Sequence, residues 1–223
     1  MYRFLFLILF LLPASSYAEE TITVAVASSL YPVMQQQLSA FEKRHGVQVK
    51  LISGSTGRLY NQIIQGAPFD LFIAADEIRP AKLSGLGMVN AEEKAGFGYL
   101  GVKSGDNLFT DLKLLHSASI HRIAIPNPDV APFGMAAKKL LQQQGLWHVL
   151  KFKFIYTQNA MQAIMMVDQG LVDAGFVPLA GPEDAIAQIA YQAVLLSDNP
   201  IALQFLKFVA EKKESVSTLV TVY

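Results

Sequence analysis

Short apolar runs recur along this chain. Each gives way, through a few small or polar residues, to a stretch whose apolar positions follow helical spacing. Residues 21–27 (TITVAVA) read as a buried strand, and 30–45 as a helix with Val33, Met34, Leu38 and Phe41 on one face. Gly46 ends that helix, and 47–52 (VQVKLI) alternates as a strand does. Residues 58–65 read as helix until Gly66, Ala67 and Pro68 stop it. A short strand at 70–74, a helix at 79–86 and a strand at 98–102 follow, the last running into a loop at 103–107. Downstream the rhythm repeats: strand 122–125, an irregular stretch 126–133 with three prolines, helix 134–144, strand 153–156, helix 160–169 and strand 174–177. An irregular stretch around 178–182 leads to a strand at 194–196 and a helix at 200–212 that opens on Pro200. Such alternation specifies the α/β class, with largely parallel sheets covered by helices on both faces. Each half of the chain starts its own strand–loop–helix pattern, which predicts two lobes rather than one sheet. Ligands of such folds bind beyond the carboxyl ends of the strands.

The first eighteen residues stand outside this pattern. Arg3 precedes an unbroken apolar run at 4–12, and the small residues Ser16 and Ala18 follow in the order of a signal peptide and its cleavage site. The run is too short for a membrane span, which needs about 20 residues. Cleavage after Ala18 would leave a mature chain starting at Glu19. Its product is expected to be exported and soluble, and periplasmic in a host with two membranes. No cysteine follows the run, which excludes a lipid anchor at the cleavage site.

Composition removes several function classes. The 18 Lys and Arg balance the 18 Asp and Glu, so the basic footprint of a nucleic-acid binder is missing. With no cysteine in the chain there is no disulfide, thiolate metal site, iron–sulfur cluster or thiol nucleophile. His45, His116, His121 and His148 lie in no metal-ligand spacing, and no Ser–His–Asp constellation emerges.

Four strand-to-helix junctions carry the chemistry that remains. They are Ala27-Ser28-Ser29-Leu30, Ser53-Gly54-Ser55-Thr56-Gly57, the stretch 127–134, and Thr157-Gln158-Asn159-Ala160. Each presents free backbone N–H groups and the positive end of a helix dipole. Several such ends converging on one point make an anion site without Lys or Arg, and hydroxyls at Ser29, Ser55 and Thr56 add donors. Taken singly, each of these residues also fits an ordinary N-cap. The Ser-Gly-Ser-Thr-Gly run lacks the Gly-Lys-Ser/Thr ending of a nucleotide loop.

Other conspicuous residues have structural readings. His45 suits the C-terminal end of a helix dipole, and Asp70 and Asp76 suit turns or caps rather than an acid/base pair. Met161, Met165 and Met166 suit helix packing, Trp147 a core anchor, and Arg58 a solvated side chain.

Longer words carry a family resemblance. The run from Ser53 to Asp76 (SGSTGRLYNQIIQGAPFDLFIAAD) resembles the signature stretch of periplasmic molybdate-binding proteins, the solute receptors of molybdate ABC importers. Residues 24–30 (VAVASSL), 123–134 (IAIPNPDVAPFG), 145–147 (GLW) and 170–177 (GLVDAGFV) match in the same order. The resemblance spans about residues 22–210. It implies a two-lobed periplasmic-binding-protein fold with the anion in the cleft between lobes. Lobe 1 would comprise 19–98 with 191–223, and lobe 2 residues 99–190.

Carried over residue by residue, the resemblance implies oxyanion contacts from Ser29, from Thr56 with Ser55 beside it, and from the backbone N–H groups of Phe133 and Ala160. Some members add a tyrosine hydroxyl where this chain has Pro178, which offers neither a hydroxyl nor an N–H. The segment from 179 to 194 is short against the family pattern.

The implied activity is binding without catalysis. A monomeric receptor would capture molybdate, and tungstate with it, and deliver it to the membrane permease of an ABC importer. The ligand is cargo held as an oxyanion, with no direct metal ligand, no cofactor and no nucleic acid involved. Two alternatives stay open: the same fold holding another oxyanion such as sulfate, and an exported enzyme using Ser29 or Thr56 as nucleophile.

Overall fold

The computed structural model describes residues 20–179 and 181–213. The signal-peptide reading lies outside them. Among the described residues, nine strands and seven α-helices follow one another: β1 (Glu20–Ala27), α1 (Tyr31–His45), β2 (Val47–Gly54), α2 (Thr56–Ile64), β3 (Leu71–Ala74), α3 (Ile78–Gly85), β4 (Ala91–Ser104), β5 (Asn107–Phe109), β6 (Ile123–Pro126), α4 (Pro132–Gln143), α5 (Trp147–Leu150), β7 (Phe154–Thr157), α6 (Ala160–Asp168), β8 (Ala174–Leu179), β9 (Ala187–Leu195) and α7 (Pro200–Glu211).

Period-two burial explains the layering. On β1, Ile22, Val24 and Val26 face α1 and α7, packing with Met34, Phe41 and Phe205. Ala25, between them in sequence, faces the other way, in a cluster with Leu59 and Ile63 of α2 and Leu83 of α3. The same division recurs on β6. Ile123 and Ile125 pack in the cluster with Phe133, Ala137 and Leu141 of α4, while Ala124 packs with Ala163 and Val167 of α6.

The sheet differs from the sequence expectation. The strands form one continuous curled sheet in the order β2-β1-β3-β9-β4-β8-β6-β7, with β5 on β4. Parallel pairs occupy its two ends, β2-β1-β3 and β8-β6-β7. The middle is antiparallel: β9 pairs β3 and β4, and β4 pairs β8. The expectation of mostly parallel sheets therefore holds for the ends only. The reason is that the chain crosses between ends on two long strands running in opposite directions.

Those crossing strands were the least legible elements. β4 begins at Ala91, well before the expected 98, because Glu92, Glu93 and Lys94 are exposed and a bulge between Lys94 and Gly96 breaks the alternation. The expected loop at 103–107 is instead a tight hairpin turn into β5. β9 spans nine residues where only 194–196 was expected, beginning already at Ala187. Pro178 lies within β8, opposite Leu100, and beyond the last β8–β6 pair at Gly175. With no strand on that side at this point, its missing N–H breaks no ladder bond.

Buried and half-buried polar contacts fasten the frame. The Asp70 carboxylate accepts from the Thr23 N–H and the Ser197 hydroxyl, both at 2.8 Å, tying β1 to the end of β9. Asp76 accepts the Arg79 N–H at 2.9 Å and pairs with its guanidinium, a helix-start role as expected. The backbone N–H groups of Arg122 and His121 both donate to Asp173, which holds its carboxyl below the usual range. His45 closes α1 beside Lys43 and Arg44 and stacks on Phe41 at 4.3 Å. Trp147 is packed against the main core and Phe154, 4.9 Å away. The methionine reading is corrected in part: Met166 packs in the core, but Met165 is exposed.

Candidate functional site

The carboxyl ends of β1, β2, β3, β6 and β7 meet around one small cavity. Its walls come from the residues that follow those ends, and they include Ser29, Ser55, Thr56, Phe133 and Ala160. All five residues singled out in the sequence are thus brought together, across more than a hundred positions of chain. The cavity has a volume of about 10 Å3, far below the roughly 300–1,000 Å3 of sites for drug-sized organic ligands, so it suits only a compact ligand.

The hydroxyls do not act as helix caps. Ser55 occupies the N-cap position of α2 with extended backbone, yet makes no side-chain cap bond. Its Oγ is buried and has no hydrogen-bond partner. Thr56 is the first residue of α2, and its Oγ1 accepts from the Ala75 N–H at 3.0 Å. Ser29 precedes the N-cap of α1, and its Oγ accepts from the Tyr191 hydroxyl at 2.9 Å. A buried hydroxyl without a partner costs about 1–3 kcal/mol, so the orphaned Ser55 Oγ is the clearest sign of a missing acceptor.

The opposite wall supplies amides. Pro132 opens α4, with Phe133 next, and Ala160 opens α6 behind the Asn159 cap, whose side chain accepts from the Gln162 N–H. First-turn N–H groups have no intrahelical acceptor. None is recorded for Phe133 or Ala160 among the described residues. Helices α1, α2, α4 and α6 all start at the cavity, so four positive dipole ends converge there.

No ionisable side chain lines the cavity. Arg58 is exposed and binds Gln158 at 2.7 Å, rather than standing free as a solvated charge. Pro178 is not among the lining residues either. A nucleophilic Ser29 or Thr56 would need a neighbouring base, and their recorded partners are a phenol and a backbone amide.

Several contacts join the two walls beside the cavity. The Gly57 N–H donates to the Val130 carbonyl at 2.8 Å, Arg79 reaches the Asp129 carbonyl at 3.3 Å, and Arg58 reaches Gln158. A side chain at Gly57 would place its Cβ 2.8 Å from the Val130 oxygen, so glycine is what lets α2 approach this closely.

Two features escaped the sequence reading, the Tyr191 contact and the Ala75 amide. The alternation of Ile189, Tyr191, Ala193 and Leu195 was the available signal for the first. Nothing local announces the second, since it depends on β3 ending beside α2.

Comparison with known proteins gives a consistent picture. The family model described as bacterial extracellular solute-binding protein matches residues 22–214. The molybdate-binding protein ModA of Azotobacter vinelandii is 33% identical over 214 residues, covering 86% of this chain and 84% of that protein. The solved periplasmic molybdate-binding protein of Azotobacter vinelandii superposes with a TM-score of 0.78 at 26% identity, covering 91% of this chain and 100% of that one. The tungstate ABC transporter structure from Geobacter sulfurreducens shares the fold, with a TM-score of 0.65 at 11% identity over 89% of this chain and 97% of that one.

Proposed function

The chain belongs to the bacterial extracellular solute-binding protein family, and from that premise we propose that it captures molybdate, and tungstate with it, for an ABC importer. One observation carries the reading: four hydroxyl-bearing residues, Ser28, Ser29, Ser55 and Thr56, and the first-turn residues Phe133 and Ala160 line a small cavity that holds no charged side chain. Such a ring offers donors to an oxyanion that brings its own charge. Each bond to a charged oxygen contributes roughly 1.5–3 kcal/mol net. Neutral donors keep release feasible, as delivery requires.

Specificity follows from proton inventory and size. Molybdate and tungstate are unprotonated at neutral pH and present acceptors only. Phosphate carries a proton and wants an acceptor in return. Sulfate also lacks a proton, so its exclusion rests on its smaller size. Molybdate and tungstate are close in size, so the site separates them poorly.

The closing motion is that of two lobes, 19–98 with 191–223 against 99–190. The boundaries support this division, because Gly98 pairs with Ile189 and Phe97 with Ala190 on the two crossing strands. The contacts from Gly57, Arg58 and Arg79 join the lobes when closed, and the permease recognises that form. The protein acts in the periplasm as a monomer after cleavage at Ala18, and it performs no catalytic step.

Calorimetric titration of the anion-free 19–223 chain with molybdate, tungstate, sulfate and phosphate tests the reading. Tight binding of the first two alone is expected. Preference for sulfate would keep the fold and overturn the cargo, and hydrolysis of an ester substrate lost in Ser29→Ala would move the chain to the enzyme class.

A further inference from the structure

Tyr191 lines none of the cavity, yet it is the partner of one of its hydroxyls. It stands on β9, opposite Gly96 of β4, beside the bulge in that strand. Its ring is buried, at 4% exposure, and its hydroxyl reaches a residue 162 positions away in sequence. The phenol can lie there only because β4 offers it a bare backbone. A Cβ at Gly98 would fall 2.1 Å from the Tyr191 oxygen and 2.6 Å from Cζ.

We propose that Tyr191, seated on Gly98, is a positioning and specificity residue that commits the Ser29 hydroxyl to donating into the cavity. The proposal rests on the oxyanion reading above and deepens it.

A serine hydroxyl has one proton and accepting lone pairs, and free rotation lets it either give or take a hydrogen bond. A buried phenol must place its proton on an acceptor, and Ser29 Oγ is the acceptor it has. Burial holds the phenol protonated, well above the ordinary tyrosine range. Ser29 therefore receives from behind and has its own proton left for the cavity. Thr56 is set in the same way, by the Ala75 N–H on its Oγ1.

Two hydroxyls so committed suit an anion that only accepts. An anion that carries a proton finds one lone pair of each oxygen already engaged, and so has fewer acceptors open to it. Without the phenol, Ser29 would be free to rotate and serve either kind. Tyr191 thus controls the choice between unprotonated and protonated oxyanions without touching them. It also links the site to the strand that joins the two proposed lobes.

The experiment compares molybdate and inorganic phosphate titrations of the unsubstituted 19–223 chain, Tyr191→Phe, Gly98→Ala, Ser29→Ala and the Ser29→Ala/Tyr191→Phe pair. Melting temperatures are measured without anion. Tyr191→Phe deletes one oxygen and keeps the ring. It is expected to weaken molybdate about tenfold and leave phosphate unchanged or stronger, so the selectivity ratio falls at least that far. Gly98→Ala displaces the phenol and shifts the ratio in the same direction. In the Ser29→Ala background, Tyr191→Phe has no further effect on either anion. A merely structural tyrosine would lower the melting temperature and leave the ratio intact, and that result overturns the proposal while the oxyanion reading stands. Failure of the unsubstituted chain to bind molybdate would overturn both.

Discussion

The two walls of the cavity offer hydrogen-bond donors of different kinds. One wall uses side-chain hydroxyls at the starts of α1 and α2, and the other uses backbone amides at the starts of α4 and α6. A hydroxyl can rotate and must be told where its proton goes. Ser29 and Thr56 are each engaged by a donor from elsewhere in the fold. An amide needs no such instruction, because the helix aims it. The hydroxyl wall is therefore sensitive to side-chain identity and to its supporting residues. The amide wall is sensitive only to changes that remove an N–H or tilt a helix. On the proposed reading, this is why Phe133 and Ala160 suit binding positions despite their apolar side chains.

The largest expected effect breaks the hydroxyl wall. Ser29→Ala with Thr56→Ala removes two bonds to charged oxygens, a loss of roughly 3–6 kcal/mol, or about 10²–10⁴ in affinity. Calorimetry would read this, and retained affinity would take those hydroxyls out of the site.

Ala160→Pro attacks the amide wall at its one vulnerable atom. Proline is tolerated at the first position of a helix, and Asn159 already has the extended backbone a following proline requires. Affinity should fall by roughly 10–100-fold through the lost N–H. The melting temperature in the absence of anion should change little. An unaltered Kd would show that this amide does not face the ligand.

Ser55→Ala sharpens the contrast by its sign. Removing an orphaned buried hydroxyl should cost no stability without anion, because no cap bond is lost. Affinity should nevertheless drop about tenfold. A destabilised protein with unchanged affinity would restore Ser55 to a capping role, as judged by paired denaturation and titration.

Phe133→Leu is the smallest perturbation of binding. The side chain is buried in the core, and the residue also lines the cavity. Stability should fall by less than about 1.5 kcal/mol, with molybdate affinity unchanged within roughly twofold. A large loss of affinity would mean that the ring itself shapes the site.

Legibility along the chain followed the range of the interactions. The parallel ends of the sheet could be read directly, because β1, β3 and β6 are short apolar runs and β2 alternates between apolar and polar residues. The helix starts could be read as well, and with them Ser29, Ser55, Thr56, Phe133 and Ala160. Polar patterning at Glu92, Glu93 and Lys94 hid the first half of β4, whose partners on β9 lie about a hundred residues away. Local sequence left each of the three hydroxyls open to a capping role, because a serine before a helix looks the same whether its oxygen binds the helix or a ligand.

Residue order within each short unit was enough to set the α/β class, the junctions and the supply of bare donors, since strand and helix periods and first-turn amides are local properties. What direction each hydroxyl faces is a long-range matter. Ser29 takes its donor from β9, over a glycine of β4, and Thr56 takes its donor from the end of β3. Those meetings exist only once the crossing strands have found their register, because a hydrogen bond depends on where two atoms end up in space and not on how far apart they are in the chain.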